Sequence, residues 1–319
     1  MQRFILNVFV SLLLAACAAQ PKVGETPAPA TKPSVEIKPA QETKAQDVPQ
    51  PESVKPRLAL VLGGGAVRGF AHIGVIKVLE AQGITPDMVV GTSAGSVVGA
   101  LYAAGYSGFE LQKIALKLEE DNVGDWTIPD RGFIKGEALQ SFVNKSVQNK
   151  PIEKLRKPFA AVATDLQSGE MTVFARGNTG QAVRASSSIP GVFQPVSING
   201  RDYVDGGLTS PVPVRAARSM GADVVIAVDI SGKPKYRKVD SMLDMLLQTF
   251  GIMGQSISSR ELLEGDVVIR PNTGGMGSAE FEKKHEAILE GEKAAQAALP
   301  LIRQKLREAM RRVRSVEPH

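Results

Sequence analysis

Ser93 is the residue whose neighbours best prepare it for chemistry. It stands in Gly91-Thr92-Ser93-Ala94-Gly95, directly after the apolar run Met88 to Val90 and before a stretch of small residues. A serine on a sharp strand-to-helix turn presents its hydroxyl as a nucleophile, and such a turn needs small neighbours, here Gly91 and Gly95. The helix N-terminus beneath it adds free N–H groups and a positive dipole end. The same pentapeptide also occurs as a plain βα turn; the strand before it and the helix after it are the context a nucleophile requires.

Two further segments supply what a serine nucleophile lacks. Gly63-Gly64-Gly65-Ala66-Val67-Arg68-Gly69 follows the run Leu58 to Leu62 and precedes a helical pattern. A dinucleotide fingerprint needs glycines at the first, third and sixth positions; from Gly63 the sixth is Arg68, and from Gly64 the third is Ala66, so neither register fits. Consecutive outward N–H groups in such a turn can instead hold a developing oxyanion, with Arg68 adding positive charge. Tyr203-Val204-Asp205-Gly206-Gly207 places an acid beside two glycines, a pattern that is also a common turn.

The base is narrowed by what the chain contains. Only His72, His285 and His319 are present. A Ser, acid, His order would have to use His285 or His319, and His285 lies in a polar Lys-Lys-His run that reads as a solvated helix face. His72, just after the glycine turn, reads as a packing or hydrogen-bonding residue. A carboxylate acting directly on Ser93 is the economical choice. Asp205 is favoured over Asp165, the other acid at a strand end, because its flanking glycines permit close approach.

The elements that must position these residues are legible as short apolar runs alternating with helical patterns, the signature of a mainly parallel sheet covered on both faces. Strands are expected at Leu58 to Leu62, Met88 to Val90, Phe159 to Ala163, Met171 to Phe174, Val224 to Val228 and Val267 to Ile269, with helices at Ala71 to Gln82 and Val97 to Ala104. The segment Asp121 to Gly136 lacks periodicity and reads as a loop and candidate lid. After Asp240 the pattern is helical, and Leu299, Ile302, Leu306, Ala309 or Met310, and Val313 form one apolar stripe. The fold expected is a three-layer α/β/α sandwich with a mainly parallel sheet.

The order of glycine turn with Arg68, then GTSAG, then DGG, with Ala185-Ser186-Ser187-Ser188-Ile189-Pro190-Gly191 before the last, resembles the patatin-like phospholipase family over roughly residues 57 to 235. The resemblance implies a Ser93–Asp205 dyad cleaving lipid acyl esters, such as phospholipids or lysophospholipids, with the Gly64, Gly65 and Ala66 backbone and Arg68 as the oxyanion site and Gly206 and Gly207 in the acid's motif. Ala66 stands where that family commonly has a third glycine. No metal or other cofactor is implied. The alternative from another class is a non-catalytic envelope lipid-binding or scaffold protein on the same fold.

The N-terminus bears on location. Arg3 precedes an apolar run, Phe4 to Ala16, that is short for a membrane span and reads as a signal peptide over residues 1–16. Leu14-Ala15-Ala16-Cys17 looks like a lipobox, with Cys17, the only cysteine, as the lipidated residue, so no intramolecular disulfide is available. Residues 17–57 form a Pro-rich segment too poor in apolar residues to fold, a tether of up to roughly 100 Å. The hydrolase domain is expected at 58–319, with a motif core to 235 and a helical extension over 236–319. A lipid-anchored envelope protein follows, facing the periplasm from the outer membrane if the cell is Gram-negative. The net charge of +5 is no nucleic-acid footprint; it gathers at Arg303, Lys305, Arg307, Arg311, Arg312 and Arg314, a solvated face or a weak contact with anionic headgroups.

Overall fold

The computed structural model describes residues 55–120, 136–231, 241–276 and 280–316. The expected signal peptide, Cys17, the tether as far as residue 54, the candidate lid over 121–135 and His319 lie outside the described residues. The elements run β1 (Leu58–Leu62), α1 (Phe70–Ala81), β2 (Met88–Thr92), α2 (Ala94–Ala104), α3 (Gly108–Glu120), α4 (Glu137–Ser146), β3 (Phe159–Asp165), β4 (Met171–Phe174), α5 (Thr179–Ser186), β5 (Val196–Ile198), β6 (Arg201–Asp205), α6 (Val214–Ser219), β7 (Val224–Val228), α7 (Met242–Glu261), β8 (Val267–Ile269) and α8 (Lys284–Val316).

The strands make one eight-stranded sheet in the order β5-β6-β3-β2-β1-β7-β8, with β4 also on β3. The pairs among β3, β2, β1, β7 and β8 are parallel, whereas β4 and β6 pair antiparallel with β3, and β5 with β6. Strand β1 explains the apolar runs: Leu58, Leu60 and Leu62 face a core built with α1, α2 and α8, while Ala59 and Val61 face α6 and Leu262. A strand buried on both faces has no polar side to show, so it reads as continuous hydrophobicity. The result is the expected α/β/α sandwich.

All six expected strands are present, and β2 and β3 run on past the apolar residues to Thr92 and Asp165. The polar Thr92 is accommodated because its buried hydroxyl donates to Ser210 O at 2.8 Å. Helix α2 begins three residues before Val97, at Ala94, because it starts directly from the elbow. The sequence reading missed the hairpin β5–β6. Its turn is Asn199-Gly200, both at positive φ (52° and 79°), the two-residue connection whose twist suits a hairpin.

Helices α1 and α8 cross at backbone contact. A Cβ on Gly74 would lie 2.0 Å from Ile288 O, and one on Gly291 2.0 Å from Ala71 O, so neither position admits a side chain without separating the helices. Lys77 and Glu292 form an ion pair across the same crossing. The expected α8 stripe is its packed face, with Ile302 and Ala309 buried and Leu299 and Leu306 against the core.

Candidate functional site

Strand β2 ends at Thr92 opposite Val162, and β6 ends at Asp205 opposite Ala163, the next residue of β3. Adjacent residues of one strand therefore fix where the two expected partners leave the sheet. Ser93 follows with φ 52° and ψ −125°, a backbone state that costs a non-glycine residue about 1–3 kcal/mol and persists only where its surroundings impose it. They do so here. The Ser93 N–H donates to Ser186 Oγ at 2.9 Å, that hydroxyl donates to Val162 O at 2.5 Å, and Ser96 Oγ donates to Ser93 O at 2.7 Å. The glycines of the elbow are required by contact: a Cβ on Gly95 would meet Leu62 O at 2.0 Å, and one on Gly91 would meet Gly95 O at 2.4 Å.

Asp205 is buried, as is Ser93 apart from a small exposed fraction. One carboxylate oxygen, Oδ1, accepts the Gly207 N–H at 2.7 Å, and the Asp205 N–H donates to Ser188 O at 2.9 Å. The other, Oδ2, is buried without a hydrogen-bond partner. Burial pushes the carboxyl up to about 6, opposed first by the Ser93 hydroxyl and then by the Gly207 N–H. The Ser93 hydroxyl thus favours the carboxylate form, although it makes no hydrogen bond to Oδ2.

The glycine turn lies against the serine, with a Cβ on Gly64 falling 3.3 Å from Ser93 Cβ. Its three expected oxyanion donors are not equivalent. The Gly64 N–H already donates to Pro211 O at 2.9 Å, so the assignment of Gly64 as a donor is corrected: its N–H holds the loop in place, and Gly65 and Ala66 carry the remaining N–H groups. Ala66 has φ 51°, in the region that favours glycine, which gives its departure from a third glycine a physical cost. Arg68 folds back, its Nε donating to Gly65 O at 3.1 Å, with Asp229 the charge that supports it against desolvation.

The other candidates fall outside the chemistry. His72 is fully buried on α1 with Nε2 2.8 Å from Gly63 O, and burial holds it down at about 4, so it is a neutral brace of the glycine turn. His285 is exposed on α8. Asp165 caps a turn, accepting from Ser168 N and Gln167 N at 2.9 and 3.0 Å and pairing with Arg201; the Ser168 hydrogen bond leads in holding its pKa low. Among the described residues no group of three or more His, Cys, Asp or Glu could hold a metal. A pocket lined by Tyr106, Glu110, Gln148 and Arg156 contains none of the residues above, so concavity alone would misplace the site.

The sequence reading quoted Ser186 and Ser188 but gave them no task. Ser186 Oγ accepts the Ser93 N–H and Ser188 O accepts the Asp205 N–H, so one short segment at the end of α5 fixes both. Glu261, at the end of α7, was not singled out at all. It is buried, accepts Ser210 Oγ at 2.8 Å on both oxygens and takes the Arg215 N–H at 3.1 Å. Ser210 and Pro211 in turn hold Thr92 and Gly64. An isolated Ser or Glu has no periodicity to announce such a role; the Asn-Gly turn before β6 is the one local signal that was available.

A strained Ser93 between strand and helix, a buried acid on β6, two strands from β2, and a glycine turn against the serine are set in a domain of the α/β class. Residues 60–218 match the family model described as patatin-like phospholipase, and the chain belongs to that family. An uncharacterized NTE family protein of Mycobacterium tuberculosis is 38% identical over 187 residues, covering 56% of this chain and 51% of that protein. Patatin-like phospholipase domain-containing protein 6 of Homo sapiens is 38% identical over 184 residues, 55% of this chain and 13% of that protein. The chain thus spans about half the length of the mycobacterial relative and a small part of the human one. The crystal structure of VipD from Legionella pneumophila has a TM-score of 0.47 at 14% identity, covering 80% of this chain and 67% of that one.

Proposed function

We propose that this protein is a serine acyl-hydrolase that cleaves lipid acyl esters through an acyl-enzyme on Ser93, with Asp205 as its base. The observation that carries the reading is the pairing of a strained Ser93 with a buried carboxyl whose Oδ2 is unpartnered and whose pKa lies at about 6. Near neutral pH such a carboxylate can take the hydroxyl proton as the serine oxygen attacks the ester carbonyl. The Gly65 and Ala66 N–H groups hold the oxyanion, the alcohol leaves with the proton returned from Asp205, and water activated by the same carboxylate releases the fatty acid. A phospholipid or lysophospholipid is the substrate class.

A fluorophosphonate probe tests the reading. Wild-type protein is expected to be labelled and to hydrolyse a short-chain ester. Ser93→Ala is expected to lose both, Asp205→Asn to lose turnover by at least about a thousand-fold, and His285→Ala to retain wild-type rates. An inactive His285→Ala with a normal fold would replace the dyad by a triad.

The same proposal includes export and lipidation at Cys17, with attachment to an envelope membrane through the anchor and only a weak, salt-sensitive contribution from the basic end of α8. Cys17→Ser is expected to abolish incorporation of labelled palmitate; continued incorporation would overturn the anchor.

A further inference from the structure

Helix α7 has its apolar residues on the wrong side for a helix that merely completes a core. Its inner face is seated on the site: Phe250 touches the Gly207 turn, where a glycine Cβ would meet its ring at 2.9 Å, Gly254 faces Pro211, and Glu261 clamps Ser210. Its outer face carries Met242, Met245, Leu246, Ile252 and Met253, which are 87%, 62%, 42%, 52% and 50% exposed. The spacing i, i+3, i+4, i+10, i+11 puts all five on one stripe. Between Asp244 and Arg260 the helix has no charged residue.

We infer that this stripe is a docking face by which the domain lies on a lipid bilayer, holding the Ser93 site against the surface that contains its substrate. The inference rests on the reading of the site as a lipid acyl-hydrolase. Three observations commit it to a bilayer. The stripe is the outer side of an element whose inner side touches the Asp205-Gly206-Gly207 turn, so it lies about one helix diameter, roughly 10 Å, from the reacting groups. Methionines are unbranched and adaptable, suited to a surface of disordered acyl chains more than to one fixed protein partner. The 20 residues of α7 are about 30 Å long, and no described helix is long and apolar enough to cross a membrane, so the helix fits in the plane of the interface. The proposed lipid at Cys17 would hold the domain within roughly 100 Å of the same surface. The uncharged stripe also fixes the kind of attraction: binding is apolar, works on zwitterionic lipid and withstands salt.

The test separates docking from turnover by using the chain from Ala18 onward carrying Ser93→Ala, so that neither hydrolysis, an acyl chain at Cys17 nor the apolar run Phe4 to Ala16 contributes. Binding to phosphatidylcholine vesicles is measured by flotation at low and high salt, with and without Met245→Ser, Leu246→Ser, Ile252→Ser and Met253→Ser. The stripe variant is expected to bind at least about ten-fold more weakly, with little effect of salt on the parent. With Ser93 restored, the stripe variant is expected to keep its rate on a water-soluble short-chain ester while losing at least about ten-fold on vesicles. Equal vesicle binding by parent and stripe variant overturns the docking face. So does a parent that is dimeric in solution and becomes monomeric on stripe substitution, because a second copy then covers the stripe. A parent that floats while wild-type active sites turn over no ester of either kind leaves docking standing and removes the hydrolase reading instead.

Discussion

The two longest helices, α7 and α8, use their apolar residues in opposite ways. Helix α8 turns its stripe inward, burying Ala287, Ile288, Ala295, Ile302 and Ala309 against α1 and the sheet, and leaves Arg307, Arg311, Arg312 and Arg314 to solvent. Helix α7 commits few residues inward, chiefly Phe250, Gly254, Ser258 and Glu261, and leaves a methionine-rich stripe outside. Apolar periodicity therefore identifies a helix and its stripe but not what covers the stripe. Here one long helix holds the fold, and the other holds the site's turn while presenting a surface.

If that division is right, α8 should be the sensitive helix. Gly291→Leu, which must push a side chain into Ala71 O, is expected to cost about 3 kcal/mol or more and to shift the denaturant midpoint the furthest of any change named here. Ile302→Ala should follow, at about 3 kcal/mol for an emptied buried site. An unchanged midpoint for either would mean that α8 is an accessory and that the contrast fails.

Acid acts on the two sides of the sheet in opposite senses. Asp205, on the turn beneath α7, has its folded pKa raised from 3.8 to about 6, so its contribution is fully present below pH 3.8 and is lost as pH rises through about 6. His72, on the α1 side, is lowered from 6.5 to about 4, so its contribution is present above pH 6.5 and is lost as pH falls through about 4. Each shift corresponds to about 3 kcal/mol. In wild-type protein the two largely offset between pH 4 and 6.5. Asp205→Asn is expected to be up to about 3 kcal/mol more stable than wild type at pH 7 and to lose that margin on acidification, as followed by denaturant titration across pH. A wild-type-like pH profile in Asp205→Asn would mean that Asp205 does not pay a burial cost. The rate on a soluble ester should rise through about pH 6 as the base ionises.

Smaller effects separate the two faces of α7 itself. Burial raises the Glu261 carboxyl, and Glu261→Gln, which exchanges an acceptor oxygen for a donor toward Ser210 and the Arg215 N–H, is expected to cost about 1–2 kcal/mol and to lower kcat more than it raises KM. Met253→Ser on the outer face should stay within about 0.5 kcal/mol of wild type in solution.

How much of this was legible follows the same physics. Strands β1, β4, β7 and β8 coincide with their apolar runs, and Ser93 lies at the expected turn between strand and helix, because glycine and apolar texture are local. Strand β6 was not read, since Arg201 and Asp202 face water at the antiparallel edge and interrupt the run that would have marked it. The use of the Gly64 N–H by Pro211, 147 positions away, and the double tie of Ser186 and Ser188 are long-range hydrogen bonds with no periodic trace. The outer face of α7 was invisible for a different reason: the pattern is present in the sequence, and only the packing shows that nothing in the described chain lies over it.

The glycine crossing of α1 and α8 also sets an order of events during synthesis. Gly74 lies just beyond the turn that carries Gly65 and Ala66, and its partner Gly291 is made 217 positions later, roughly 10 to 40 seconds at about 5–20 residues per second. Until then the face of α1 that meets Ile288 and Gly291 has no cover. Nascent chains stalled before residue 284 should therefore react poorly with a fluorophosphonate probe although Ser93 and Asp205 have both been made; strong labelling of such chains would show that the turn is seated without α8. On the proposed reading, the expected result is a site completed only once the closing helix has been made.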